Sequence, residues 1–364
     1  MFKPNHTITP QIASLLMRIE ALKQEINGLP ITLSVIASLR ETARLESIHY
    51  STKIEGNRLT EEEVIQVIKH KKHFAGRERD AKEILGYYAA LDEVEKTVKK
   101  CISITEKSIQ QFHALVMGGG KKNVTPTPYR DGQNVIRDGT THKIVYLPPE
   151  AADVASLMKD LVAWIHDTEN TLPCPLRASI AHYQFATIHP YYDGNGRTAR
   201  LLTTFILHQG GYDLKGLYSL EEYYAKNLSD YYNALAQGPS HNYYSGRAEA
   251  DITLWVEYFC HGIVESFENV KRHAVKAYKQ GLRDKSLELK NLDAQQRATL
   301  NLFQKSSWIT SHDIEQLFKL KSRTARALCL KWVQNDFLHV TNPAKKTRKY
   351  MLTPTLQKAL FGKK

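Results

Sequence analysis

Twelve consecutive residues, His189 to Arg200 (HPYYDGNGRTAR), bring together a base, an acid, an anion cradle and two guanidinium groups. An imidazole that titrates near neutrality can take a proton from an incoming hydroxyl. Asp193 is a hard oxygen ligand of the kind that Mg²⁺ accepts beside phosphate oxygens. The Gly194-Asn195-Gly196 turn permits positive φ, so successive backbone N–H groups can converge on one anion. Helical spacing resumes at Arg197, which puts that nest at a helix N-terminus, where orphan N–H groups and the helix dipole both favour negative charge. Arg197 and Arg200 are three residues apart, hence neighbours on the first turn, and offer forked donors to further phosphate oxygens. The chemistry that needs this set is transfer of a phosphate-containing group. Either an HP or a GNG alone would be an ordinary helix boundary.

The flanking elements must position these groups. Pro190 disfavours helix at the residue before it, so the helix LRASIAHYQFATIH, started by Pro175, should end at His189. Its core face is Ile180, Phe185 and Ile188, with His182 a polar or packing residue. After the motif, LLTTFILHQGG predicts an apolar helix closed by Gly210-Gly211, central enough to fix both arginines. Residues 8 to 48 predict two helices broken at Gly28-Leu29-Pro30. Ser51 and Glu55 are four apart, on one helix face, with Gly56 as C-cap; Thr60 then caps a new helix whose first turn carries Glu61, Glu62 and Glu63. Two β-prone runs, Asn134–Arg137 and Lys143–Leu147, flank Asp138-Gly139 and predict a hairpin. In SLEEYYAKNLSDYYNAL, Tyr223, Asn227 and Tyr231 recur at helical spacing. Gly118-Gly119-Gly120 before Lys121-Lys122 lacks the spacing and preceding strand of a Walker A loop and reads as a helix stop.

Hydrophobic content of 42% and charged content of 24% belong to a folded globular chain and exclude a disordered one. Cys101, Cys174, Cys260 and Cys329 are scattered without CxxC spacing, so no disulfide framework or zinc site is predicted and a reducing, cytoplasmic setting fits. No stretch reads as a secretory signal or a membrane span, and no membrane partner is expected. Residues 290–364 hold 15 Lys or Arg and 4 Asp or Glu, so +11 of the net +12 lies there. That asymmetry predicts an anionic partner for the C-terminal piece, nucleic acid first. The piece reads as three helices, AQQRATLNLFQK, one capped at Thr310 and SRTARALCLKWVQND, followed by two strands about a basic turn. Arg323, Arg326 and Lys331 fall on the third helix; Lys345, Lys346, Arg348 and Lys349 fall on the turn and its flanks.

The run from His189 resembles the motif of the Fic (filamentation induced by cAMP) family, HPFx[D/E]GNGRxxR, at every functional position, with Tyr191 where Phe is usual. The resemblance implies a mostly α fold with a small β-hairpin flap, and here a C-terminal winged helix-turn-helix. The expected divisions are 1–100 (helical region), 101–285 (core) and 286–364 (winged helix). It implies a protein adenylyltransferase that uses ATP and Mg²⁺: His189 as base; Gly194, Asn195, Gly196, Arg197 and Arg200 on phosphate; Asp193 on the metal. Ser51-Thr52-Lys53-Ile54-Glu55-Gly56 resembles the family's inhibitory motif in its N-terminal arrangement, called class II, in which Glu55 would pair with Arg200 in place of the ATP γ-phosphate. Ile144, Val145 and Tyr146 would form the flap that holds the target segment, and Tyr223, Asn227 and Tyr231 would border adenine. The target is a Tyr, Thr or Ser hydroxyl of an unidentified protein, the chain itself included, and a homodimer is a family-level expectation. Alternatives are removal of AMP by the same site, transfer of another phosphate-containing group, and a DNA-binding regulator whose core senses a nucleotide.

Overall fold

Apolar residues three and four apart along most of the chain fold as helices, and among the described residues they are accompanied by two short antiparallel strand pairs. The computed structural model describes residues 2–28, 33–121, 123–137, 141–280, 291–304, 306–342 and 348–361. In chain order the helices are α1 (Pro10–Asn27), α2 (Leu33–Ile54), α3 (Glu61–His70), α4 (Glu78–Lys99), α5 (Glu106–Met117), α6 (Ala151–Asp167), α7 (Cys174–Ile188) and α8 (Asn195–Gln209). They continue with α9 (Leu220–Lys226), α10 (Leu228–Leu235), α11 (Thr253–Gln280), α12 (Ala294–Leu300), α13 (Ser311–Phe318), α14 (Ser322–Gln334) and α15 (Pro354–Phe361). The strands are β1 (Ile136–Arg137) paired with β2 (Ile144–Tyr146), and β3 (Leu338–Asn342) paired with β4 (Lys349–Leu352). By its contacts the chain divides into two units, Met1–Asn27 with Ala43–Lys271, and Gly28–Thr42 with Arg272–Lys364.

The first unit is built on α7 and α8. Nearly every residue of α7 is buried, polar ones included, as a helix enclosed on all sides must be. It lies along α8, whose Leu201, Leu202, Phe205 and Ile206 are buried, each contributing about 1.5–3 kcal/mol by leaving water. Trp255 of α11 donates its indole N–H to the Ser179 carbonyl at 2.8 Å, holding α11 against α7. α4 approaches α5 so closely that a Cβ at Gly86 would meet the Val116 carbonyl oxygen at 2.1 Å, and only glycine permits that crossing.

The local signals act as the sequence predicts at several helix ends. Thr60 and Glu63 form a capping box for α3, and Pro175 sits in the first turn of α7. α2 runs on to Ile54, so Ser51 lies in its last turn, and Gly56 follows with φ of 89°. Two expectations are revised. The strands are shorter than the runs 134–137 and 143–147, with a register shift between Ile136 and Arg137, because Asn134 turns its side chain to the Val135 N–H and the Tyr191 carbonyl. The helix through Tyr223 and Tyr231 breaks at Asn227 (φ −119°, ψ 46°), so the three residues do not share one helix face.

In the second unit, Ala37 of α2 joins a core of Leu300, Ile314, Cys329, Trp332, Phe337, Leu338, Tyr350 and Leu352. β3 and β4 pair in register Leu338↔Leu352, His339↔Met351 and Val340↔Tyr350, and Ile309 bonds Tyr350 from the other side. Asp138-Gly139, Lys122, Lys345, Lys346 and the expected 285/286 boundary lie outside the described residues. Among the described residues no helix is long and apolar enough to cross a membrane, and the four cysteines are free.

Candidate active site

His189 ends α7 in the left-handed region (φ 52°, ψ 59°), its N–H bonded to the Phe185 carbonyl at 3.0 Å. A non-glycine residue rarely adopts that conformation, so the surroundings must enforce it. Arg130 supplies the enforcement. Its Nε donates to the His189 carbonyl at 3.0 Å, its Nη1 to the Gly132 carbonyl at 3.0 Å and its Nη2 to the Pro149 carbonyl, while its backbone N–H reaches the Pro190 carbonyl at 2.9 Å. Gly132 and Pro149 flank the β1–β2 hairpin, so one buried guanidinium fastens the base of the hairpin to the residue that carries the imidazole. Tyr146 adds a bond from its hydroxyl to the Thr187 carbonyl at 2.7 Å, whereas Ile144 and Val145 remain exposed.

The imidazole itself is polarised by its position. Nδ1 lies 3.3 Å from the Ala186 carbonyl, which can only accept, so Nδ1 carries the proton and Nε2 keeps its lone pair. Burial lowers the His189 pKa to about 4, leaving a neutral base at physiological pH.

The loop after it is braced from two directions. Asn195 closes the turn, accepting from the Tyr191 N–H at 2.9 Å and donating to the Tyr191 carbonyl at 2.7 Å. Both polar atoms of its side chain are thereby bonded to the Tyr191 backbone. His113 of α5 stacks on Tyr191 with ring centroids 3.6 Å apart and donates from Nε2 to the Asp193 carbonyl at 2.9 Å. Gly194 has φ of 76°, and a Cβ there would meet Met117 Sδ at 2.9 Å. The N–H groups of Asn195, Gly196 and Arg197, in the first turn of α8, have no acceptor among the described residues.

Both arginines are buried. Arg197 donates from Nη2 to Asp193 Oδ1 at 3.2 Å, and its buried Nε has no partner among the described residues. Arg200 donates from Nε to Ser51 Oγ, and from Nη2 to both the Ser51 carbonyl and Glu55 Oε1, all at 2.8 Å. Burial alone would lower the Arg200 pKa, but the Glu55 carboxylate together with Tyr231 and Tyr87 outweighs it and the value rises. A Cβ built on Gly196 would come within 2.3 Å of Glu55 Oε1. The carboxylate therefore lies against Gly196, beside the first turn of α8.

Behind α2, the buried Glu221 accepts from Tyr87, Ser47 and Ser219, each at 3.0 Å, tying α2 to α4 and the start of α9. Tyr231 is buried, bonded to His182 Nε2 at 3.0 Å and stacked on Tyr224. Tyr223 packs on Gly262 and Tyr258, and Asn227 turns its amide to the Tyr223 carbonyl. The structure thus gathers His189, Asp193 through Arg200, Ser51 and Glu55 in one place, and Tyr231 adjoins them, its hydroxyl against the Arg200 guanidinium and its ring stacked on Tyr224. Sequence reasoning missed Arg130, His113 and Glu221. The only local signal was a charged residue in the glycine-containing run YRDGQN just before the hairpin.

Residues 103–207 match the model of the Fic/DOC family. The chain is 30% identical over 200 residues to the protein adenylyltransferase Fic of Drosophila erecta, and equally to that of Drosophila melanogaster. Each match covers 54% of this chain and 39% of the relative, so the chain spans well under half the length of these curated proteins. Among solved structures, a Fic family protein from Desulfovibrio desulfuricans G20 superposes with TM-score 0.61 at 26% identity, covering 97% of this chain and 98% of that one. Fic-1 from C. elegans shares the fold, with TM-score 0.58 at 24% identity over 74% of each chain. Residues 103–207 of this chain are a Fic/DOC-family domain, and they contain the whole run from His189 to Arg200.

Proposed function

We propose that this chain is a protein adenylyltransferase, held in check by Glu55, that moves AMP from ATP to a side-chain hydroxyl of a protein, its own surface included. The observation that carries this reading is an imidazole with a free Nε2 lone pair one loop ahead of unpaired helix N–H groups and two buried guanidinium groups. His189 takes the proton of the hydroxyl as its oxygen bonds to the α-phosphorus; the bond from that phosphorus to the bridging oxygen breaks, and pyrophosphate leaves with the electron pair. Arg197, Arg200 and the nest hold the charge of the phosphates, so positioning and fixed positive charge do most of the work.

Magnesium fits the residues present. Asp193 Oδ1 is engaged by the Gly194 N–H and by Arg197, while Oδ2 has no partner among the described residues, and one carboxylate beside phosphate oxygens suits that ion. When bound it would neutralise phosphate charge during the displacement. The exposed Ile144 and Val145 suit a hairpin edge that takes up the target segment as an added strand. Four free cysteines fit a cytoplasmic protein.

The test is incorporation of label from α-phosphate-labelled ATP, with magnesium, into wild type, Glu55→Gly and His189→Ala, with and without cell lysate. Weak label in wild type, strong label in Glu55→Gly and none in His189→Ala is the expected pattern. Equal label in all three would overturn the roles of both residues. Loss of AMP from a modified protein in wild type, abolished in Glu55→Gly, would instead assign the site to AMP removal.

A further inference from the structure

We propose that the second unit is a winged helix-turn-helix that binds duplex DNA through α14. Its helices α13 and α14 are joined by three residues, with Lys319 in the left-handed region (φ 51°) and the Leu320 N–H returning to the Glu315 carbonyl. That is a tight turn between two helices, and an antiparallel strand pair comes directly after α14, extended on one side by Ile309. α14 buries Ala325, Cys329 and Trp332 in the unit's core and turns the opposite face outward. On that outward face stand Arg323, Arg326, Leu330, Lys331 and Gln334, and the helix contains no acidic residue. None of the three cations has an ion-pair partner among the described residues.

No acid among the described residues pairs with these cations. Asp293 caps α12, Asp313 completes the capping box of α13 with Thr310, Glu315 faces His312 at 3.7 Å, and Asp336 follows the end of α14. The positive face of α14 is therefore uncompensated, unlike an ordinary solvated face laced with pairs. Lys349 at the start of β4 lies over the exposed ring of Trp308 at 3.7 Å, adding a cation carried on an aromatic surface. A helix about 10–12 Å across fits a major groove about 12 Å wide, and an unpaired basic face meets the charge of two phosphate rows. Duplex DNA satisfies both shape and charge. An acidic protein satisfies only the second, and double-stranded RNA presents a major groove too narrow for a helix.

The experiment is fluorescence anisotropy of the full chain with a labelled mixed-sequence duplex on the order of 20 base pairs, at about 50 and about 200 mM salt. If Arg323, Arg326, Lys331 and Lys349 each neutralise one phosphate, log K falls with log salt at a slope of about −3.6, and the salt increase weakens binding about 150-fold. Arg323→Gln with Arg326→Gln should reduce the steepness of that slope by about 1.8, whereas the Lys pair at the same positions should restore it. Both residues are exposed, so unchanged thermal unfolding of the variants verifies that the fold is intact. Absence of binding at the lower salt overturns the proposal, as does an identical slope in wild type and the Gln pair. Tighter binding to single-stranded RNA or to heparin than to duplex overturns it as well. The reading is independent of adenylyl transfer, and the Gln pair should still incorporate label.

Discussion

Removal of Glu55 gives the sharpest prediction, because in the proposed function its carboxylate competes with one phosphate and not with the whole nucleotide. Oε1 sits 2.8 Å from Arg200 Nη2 and over Gly196, with the Glu55 side chain 29% exposed and that of Arg200 1% exposed. A charge-assisted hydrogen bond of this kind contributes about 1.5–3 kcal/mol, and an incoming phosphate must displace it before using the same donor. Glu55→Gly should therefore tighten ATP binding about 10- to 150-fold. Arg200 keeps its bonds to Ser51 Oγ and the Ser51 carbonyl, so the guanidinium stays in place and the fold should lose little stability. The assay is calorimetric titration with ATP, ADP and AMP, in a His189→Ala background so that no turnover intrudes. ATP should gain most and AMP should gain nothing. Equal gains for all three nucleotides would mean that Glu55 merely narrows the cleft, and no gain for ATP would refute the competition outright. Glu55→Gln separates charge from bulk, and should fall between wild type and Glu55→Gly.

Arg130→Met keeps the length of the side chain but removes its donors from the carbonyls of His189, Gly132 and Pro149, so the imidazole should lose its fixed position. In the Glu55→Gly background kcat should fall about 10- to 100-fold with ATP affinity unchanged, and Arg130→Lys should rescue it poorly because an ammonium cannot fork; an equal fall in ATP affinity would contradict a positioning role. Burial holds His189 at about 4 and His182 at about 3, against an ordinary value of 6.5. The native state then binds fewer protons than the unfolded chain below about 6.5, so the stability from these neutral rings is complete above that pH and declines as pH falls toward the native values. Melting temperature measured against pH should drop on the acid side, while the rate should be flat from about pH 6 to about pH 8; a rate midpoint near 6.5 would contradict a base already neutral there.

How legible a contact is in the sequence depends on how far apart its partners lie and on whether each end has a chemistry of its own. The run from His189 to Arg200 is legible because its base, nest and first-turn arginines are set by local rules: a proline that stops one helix, a glycine that starts the next, and a three-residue spacing. Arg130 reaches His189 across 59 residues and His113 reaches Asp193 across 80, and no periodicity relates such pairs. Both residues hold backbone carbonyls, which every residue carries, so neither end of these contacts has a distinctive side chain to mark it. Tyr231 is a different case: its spacing is regular, but Asn227 leaves the helical region between α9 and α10, and the ring packs beside His182 with the Arg200 guanidinium as its polar neighbour. Glu55 and Arg200 are 145 residues apart, farther than either missed pair, and what matches them is the resemblance of Ser51 to Gly56 to a family motif, since no spacing relates the two. Charge makes the pairing reasonable once the motif suggests it, because a carboxylate at a helix end and a guanidinium beside a glycine turn are complementary. Arg130 belongs to no such motif and its acceptors are plain carbonyls, so the fold was required to reveal what it holds.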